Sequence, residues 1–200
     1  MKKIILSLTV LVLSVSLFAQ PRLNDQRTME TKIADLLMKL PPRNSADHEK
    51  IMAELVALGE PAVTGIAATL VAPGKGDDVA ARYAISGLVK YIAKGENPDQ
   101  MKSCSQSIMK ALGKANDDEV KDFLLQELQY VAGNEAVEFV SSYLSGKRLC
   151  DPAARVLVRV NSESSGNALS EALAQAGKPQ QITLTEALGQ LRYTKAAGKI

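Results

Sequence analysis

Apolar residues recur along most of this chain at helical spacing, and proline and glycine interrupt them at short intervals. The first clear stripe, Ile33, Leu36, Leu37 and Leu40, follows offsets 0, 3, 4 and 7 and stops at Pro41. Comparable stripes continue to Leu191. Connections of about two to six residues are typical of antiparallel neighbouring helices. The pattern therefore predicts an all-α fold of about ten helices.

Asp and Asn residues mark where several of these helices are expected to begin, because their side chains accept hydrogen bonds from the first amides of a helix. The pairs Asp77-Asp78 and Asp117-Asp118 could alternatively be calcium ligands, but their place at helix starts favours capping. The β-branched run 156–160 would fit a strand if taken alone, whereas its helical neighbours predict a helix. The capping residues expected are Asp77, Asp78, Asn97, Asp117 and Asp151.

Two pairs of segments repeat at nearly the same distance along the chain. Residues 78–85 (DVAARYAI) align with 151–158 (DPAARVLV) at an offset of 73, and 59–63 (GEPAV) align with 133–137 (GNEAV) at 74. Two separate segments that share one offset indicate a repeat array with units of about 37 residues.

These segments, with a capped first helix carrying Ala-Ala-Arg and a second helix after a glycine turn, resemble the HEAT-repeat family. The likeness is to its short bacterial form, similar to the repeats named after phycobilin lyases. It covers residues 31–200 and implies a right-handed α-α superhelix. Tetratricopeptide repeats are a rival, but their Trp-Leu-Gly-Tyr pattern is absent, and an irregular helical bundle is the other alternative.

The usual binding surface of such a solenoid is the wall formed by its second helices. Here that wall would include polar positions of residues 98–112, 134–144 and 166–175. A protein is the expected partner, although each of these side chains could equally belong to a simple solvated face. The candidate contact residues are Lys102, Gln106, Glu138, Ser142 and Glu171.

Residues 1–19 have the order of a secretory signal peptide: Lys2 and Lys3, an apolar run from Ile4 to Phe18, and a small residue. A membrane anchor is the alternative, but the run is shorter than the roughly 20 residues that a bilayer requires. Cleavage is expected between Ala19 and Gln20, followed by a linker over residues 20–30. We therefore expect an exported protein, periplasmic or extracellular, without stable membrane insertion.

Loss of the signal would leave 22 basic and 22 acidic residues, a mature chain near neutrality. No basic stripe remains for phosphate contacts, so nucleic acid is not an expected partner. Cys104 and Cys150 would enter a compartment that permits disulfides. Their positions in non-neighbouring repeats favour two free thiols over a bridge.

No group of residues predicts catalysis, a metal site or a cofactor. His48 is the only histidine and is expected to be a solvated helix-start residue, while Gly74–Asp78 lacks the ending of a phosphate-binding loop. Arg82 and Arg155 recur at equivalent repeat positions, which favours a structural role in bracing a turn or an acidic neighbour.

The last residues, from Ala187 to Ile200, have the pattern of a helix, a turn and the opening of another helix. This predicts that the repeats continue beyond the given sequence. Two functions follow from these observations. The first is an exported, non-enzymatic scaffold for protein binding. The second is the N-terminal helical module of a larger secreted carbohydrate-processing enzyme, which the family resemblance allows.

Overall fold

A computed structural model describes residues 26–196, and this part of the chain is helical without any β-strand. It contains ten α-helices and two short 3-10 helices, the first of which, Asn134–Ala136, runs directly into α7. The second covers Thr194–Ala196. The all-α prediction is confirmed. The α-helices are α1 Met29–Leu37, α2 Ser45–Leu58, α3 Glu60–Ala67, α4 Val79–Lys94, α5 Pro98–Lys114, α6 Asp118–Leu128, α7 Val137–Ser141, α8 Cys150–Val160, α9 Glu163–Gln175 and α10 Lys178–Gln190.

Side-chain caps define several of the helix starts. The Asn97 side chain accepts hydrogen bonds from the amides of Asp99 and Gln100, and Asp117 does the same for the first amides of α6. Asn44 caps α2 in the same way, accepting from the Asp47 amide at 2.9 Å. Asn44 and Asp117 are 73 residues apart, so the helices that they cap lie at the offset of the sequence repeat.

Two of the predicted caps are wrong in detail. Asp77, rather than Asp78, accepts from the first amide of α4, that of Val79, at 3.1 Å. The Asp78 carboxylate instead bonds Arg82 and the amide of Val71. Helix α8 begins at Cys150, two residues before the start at Pro152 that an Asp151 cap implies, and it has no side-chain cap. Asp151 lies inside its first turn rather than at the capping position, and its carboxylate forms an i to i+4 ion pair with Arg155.

Helices contact both their chain neighbours and the helices two positions away. Among the even-numbered helices, α2 contacts α4, α4 contacts α6, α6 contacts α8 and α8 contacts α10. We call these helices the even row. Among the odd-numbered helices, α1 contacts α3, α3 contacts α5, α5 contacts the Asn134–Ala136 turn before α7, and α7 contacts α9. We call these the odd row.

One continuous apolar core includes residues from the helices of both rows. It is built mainly from leucine, isoleucine, valine and alanine, whose burial is the main stabilising contribution to the fold. Cys104 and Cys150 are both buried within it as free thiols, which confirms the prediction that they form no bridge. The run 156–160 belongs to α8, so its prediction as helix is also confirmed.

His48 is not a solvated residue. It is half-buried in the first part of α2, and its ring meets Tyr83 of α4 edge to face at a centroid distance of 6.1 Å. A Cβ atom on Gly87 would lie 3.2 Å from His48 Nε2 and 2.7 Å from Met52 Sδ. The missing side chain of Gly87 is therefore what lets α2 and α4 approach closely enough to enclose His48.

The last described residues fold back onto α9. The Tyr193 hydroxyl donates to Asn167, its ring covers Gly166, and Lys195 forms an ion pair with Glu163. The expected new helix after α10 is, within the described residues, only the 3-10 turn Thr194–Ala196.

Three sequence predictions lie outside the described residues. They are the continuation of that helix to residue 200, the signal segment 1–19 and the Ala19-Gln20 cleavage point. Within residues 26–196, no helix combines the length and apolar character needed to cross a membrane.

Candidate binding surface

The five residues predicted to contact a partner all lie along the odd row. Lys102 and Gln106 are on α5, Glu138 is on α7, Ser142 caps the C-terminal end of α7, and Glu171 is on α9. All five are exposed. The helices that carry them are neighbours, because α7 packs beside α9 and α5 meets the turn before α7.

Only two of them share a cavity. Ser142 and Glu171 line a cleft of about 320 Å³ between α7, α9 and the start of α10. Lys102, Gln106 and Glu138 do not line it. Its floor is small and apolar, built from Leu144, Ala168, Ala172 and Ala176. Sequence reasoning missed its other polar residues, which are Ser141, Ser145, Gln175 and Gln180.

Two of the three serines that line this cleft, Ser141 and Ser142, donate their hydroxyl protons to the backbone. Ser141 donates to the backbone carbonyl of Glu138, and Ser142 donates to that of Phe139, both at 2.7 Å. Their hydroxyl oxygens keep lone pairs that can accept hydrogen bonds. Together with the Glu171 carboxylate, they make this wall of the cleft rich in acceptors. Gln175 and Gln180 add carboxamides that can donate as well as accept, so the cleft offers both kinds of hydrogen-bonding group to a polar ligand.

A second groove of about 130 Å³ lies where α2 meets α3 and α4 meets α5. Its apolar wall comprises Leu55, Val56, Val63, Leu88 and Ile92, and the Cys104 thiol forms part of its lining. Burial raises the pKa of the Cys104 thiol to about 12, so the thiol is protonated and unreactive at neutral pH. The groove therefore offers shape and apolar contact but no nucleophile.

Some charged side chains form ion pairs that join different elements. Lys110 of α5 bonds Glu60 of α3, and Arg148 lies 2.5 Å from Glu119 and 3.6 Å from Asp122 of α6. Within the part of the chain that the structure describes, no group of three or more His, Cys, Asp and Glu residues could hold a metal ion.

No protein-family model matches this chain, and a search of curated proteins found no match. The likeness to HEAT repeats consequently stays a prediction from the residues that carry it.

Proposed function

We propose that the two rows form a right-handed solenoid of the HEAT type. Two observations support this architecture. Helices pack against those two positions along the chain, as stacked helix pairs do. In addition, α2, α3 and the start of α4 recur 73 or 74 residues later as α6, the 134–141 segment and the start of α8.

We further propose that the protein is an exported, non-enzymatic scaffold that binds a protein partner along the odd row. The observation that carries this function is the exposure of five polar side chains of different charge on α5, α7 and α9, with a cleft at Ser142 and Glu171. Solenoids use such extended walls for recognition, with affinity spread over several repeats.

The binding surface can be tested by site-specific photo-crosslinking in cells that naturally encode the protein. The crosslinking residue replaces Gln106, Ser142 or Glu171 on the odd row, one at a time. Matched controls replace the exposed Glu54 of α2 and Glu186 of α10 on the even row. We expect one common adduct from the odd-row positions and none from the controls. Intact mass of the recovered chain reports whether cleavage occurred between Ala19 and Gln20.

Charge reversal then tests whether the adduct depends on the cleft. Glu171→Lys should reduce crosslinking from position 142 at least several-fold, whereas Glu186→Lys should leave it unchanged. Equal adducts from both rows, or an adduct insensitive to Glu171→Lys, would contradict the proposed surface.

A further inference from the structure

The cleft between α7 and α9 has a single charged group among the described residues that line it. That group is the Glu171 carboxylate, and serine, glutamine, glycine, alanine and leucine supply the rest of the lining. Lys147 and Lys178 are close to the lining residues in sequence, but neither lines the cleft. A ligand in the cleft therefore meets a negative charge that no lining cation offsets.

The Glu171 side chain has no partner within the described part of the chain, where it forms neither an ion pair nor a hydrogen bond. Other carboxylates on the same or a neighbouring helix are paired. On α9 itself, Glu163 bonds Lys195, and on α8 Asp151 bonds Arg155. The Glu171 carboxylate is thus available to a cation supplied by a ligand.

A second carboxylate lies one helical turn from the cleft. Glu138 is exposed on α7, and Ser142, which lines the cleft, follows it by four positions. Side chains four positions apart on a helix share a face, with Cβ atoms about 5–6 Å apart. Glu138 does not line the cleft, so it adds negative potential near the site without contacting a ligand inside it.

The helix ends that border the cleft do not reverse this charge. Helix α9 ends at Gln175 with partly negative carbonyl groups, and α10 begins at Lys178 with partly positive amides. Gln175 and Gly177 both line the cleft, so the two helix ends lie side by side there. Their partial charges offset one another, and Glu171 remains the dominant charge.

The lining fits a cationic side chain that has an apolar stem. The floor of Leu144, Ala168, Ala172 and Ala176 can cover methylene groups while the charged end meets polar atoms. A guanidinium group has five donors and no acceptor, and it pairs with a carboxylate through two parallel hydrogen bonds. The volume of about 320 Å³ is at the lower end of the range of about 300–1,000 Å³ for ligand pockets, which suits one side chain.

The groove where α2 meets α3 and α4 meets α5 has a different charge arrangement. Its one charged lining residue among those described is Glu60, which is bonded to Lys110 of α5. On α5, the neutral Gln106 is the counterpart of Glu171, because each follows the capping residue of its helix by nine positions. An unpaired carboxylate thus distinguishes the cleft between α7 and α9 from that groove.

We propose that the cleft at Ser142 and Glu171 receives a basic side chain of the protein partner, and that arginine fits it best. Glu171 pairs with the guanidinium group, the hydroxyl oxygens of Ser141 and Ser142 accept from its remaining donors, and the alanine floor covers its stem. That the side chain comes from a protein rests on the proposed function. The cationic character of the ligand rests on the cleft alone.

Two small probes test the chemistry of the cleft with the purified full chain and no partner. Nα-acetyl-arginine methylamide reproduces an arginine residue within a peptide, and its citrulline analogue has nearly the same shape without the charge. Binding is followed by NMR chemical-shift changes at low ionic strength, where exposed charges are least screened. We expect the arginine probe to shift signals of α7, α9 and the start of α10, and to bind about fivefold more tightly than the citrulline probe.

Glu171→Gln removes the charge while keeping the shape of the side chain. It should weaken binding of the arginine probe about fivefold and abolish the preference over citrulline. The matched control is Glu54→Gln at an exposed position of α2, which should bind both probes like the parent. Three results would overturn the proposal: no shifts at the cleft with the arginine probe, equal binding of the two probes, or undiminished arginine binding by Glu171→Gln.

The adduct formed from position 142 identifies the source of the side chain. Its crosslinked partner segment should contain an arginine or lysine whose replacement by glutamine lowers crosslinking several-fold. An adduct whose segment has no basic residue would overturn the cleft assignment and leave the scaffold function standing. Selective arginine binding without any adduct would support the cationic ligand, overturn its source in a protein and contradict the scaffold function.

Discussion

One arginine recurs at the same position of the two sequence repeats, but its surroundings differ. Arg82 bonds the Asp78 carboxylate at 2.9 Å and donates to the Val71 carbonyl at 3.1 Å, while the Val71 amide donates back to Asp78 at 3.0 Å. Arg155 pairs with Asp151 alone. The predicted bracing of an acidic neighbour is confirmed for both arginines. Only Arg82 also bonds the loop before α4, at the Val71 carbonyl.

Exposure separates the two pairs energetically. The side chains of Arg82 and Asp78 are 29% and 12% exposed, against 66% and 56% for Arg155 and Asp151. Exposed ion pairs contribute little, whereas removing one partner of a partly buried network leaves polar groups unsatisfied. Arg155 can therefore serve as the matched control for substitutions of Arg82.

We expect Arg82→Ala to lower the free energy of unfolding by about 1–2 kcal/mol. The matched Arg155→Ala should change it by less than about 0.5 kcal/mol. Urea denaturation at neutral pH measures both. Equal losses in the two variants would show that the loop contacts of Arg82 do not matter.

The stability loss in Arg82→Ala should depend on pH, because Arg82 bonds the titratable carboxyl group of Asp78. Burial alone would raise the pKa of Asp78, but the bonds from Arg82 and the Val71 amide outweigh it and lower the pKa. A depressed carboxyl pKa stabilises the fold above the unfolded value of 3.8, and that contribution disappears as pH falls through the folded pKa. The difference in free energy of unfolding between the parent and Arg82→Ala should therefore become smaller below about pH 4.

At the scale of single helices, the sequence was sufficient where local chemistry decides the structure. Asn97 and Asp117 cap their helices as predicted, because a capping bond involves residues only two or three positions apart. Packing between residues that are distant in the sequence could not be predicted from such local patterns. His48 is half-buried because Gly87, 39 positions further along the chain, leaves space for it. Periodicity indicates which face of α4 is buried but not which partner fills it.

Gly87 and Gly113 allow the effects of packing and helix propensity to be separated. Alanine inside a helix is favoured over glycine by about 1 kcal/mol. At Gly113 the new methyl group would meet Phe139 at 3.9 Å, an ordinary contact. At Gly87 it would meet the fully buried Met52 at 2.7 Å, and overpacking of that kind costs about 1–3 kcal/mol.

We expect Gly113→Ala to raise the free energy of unfolding by about 0.5 kcal/mol, since Gly113 lies in the last turn of α5. Gly87→Ala should lower it by about 1 kcal/mol, the overpacking cost less the propensity gain. Thermal and urea unfolding of the two variants provide the measurement. Stabilisation by both substitutions would show that α2 and α4 are free to move apart.

At the scale of the whole molecule, the alternation of helices assigns the candidate residues to one row. Lys102, Glu138 and Glu171 lie on odd-row helices, and odd-row helices contact one another along the chain. The cleft at Ser142 could not be predicted, since it depends on how α7, the shortest α-helix described, leaves space beside α9 and α10. No side-chain cap marks the start of α7, so the sequence carries no local signal for it.

Removal of the last two helices distinguishes a solenoid from a bundle with a shared core. Helices α9 and α10 contact mainly α7, α8 and each other. In a solenoid, stability is a sum of units and neighbouring interfaces, so damage at one end stays local. A chain ending at Asn161 should therefore keep α1 to α5 folded. Protection of their amides from hydrogen exchange should remain close to that of the parent, while α7 and α8 lose much of theirs.

A point substitution repeats the test without shortening the chain. Leu188, 2% exposed on α10, becomes aspartate, which should detach α10 from α8. Hydrogen exchange resolved by segment should again show loss confined to α8, α9 and α10. A bundle in which all helices share one cooperative core would instead lose protection from α1 to α10 together. That uniform loss, in either variant, would rule out the solenoid and with it an extended binding wall.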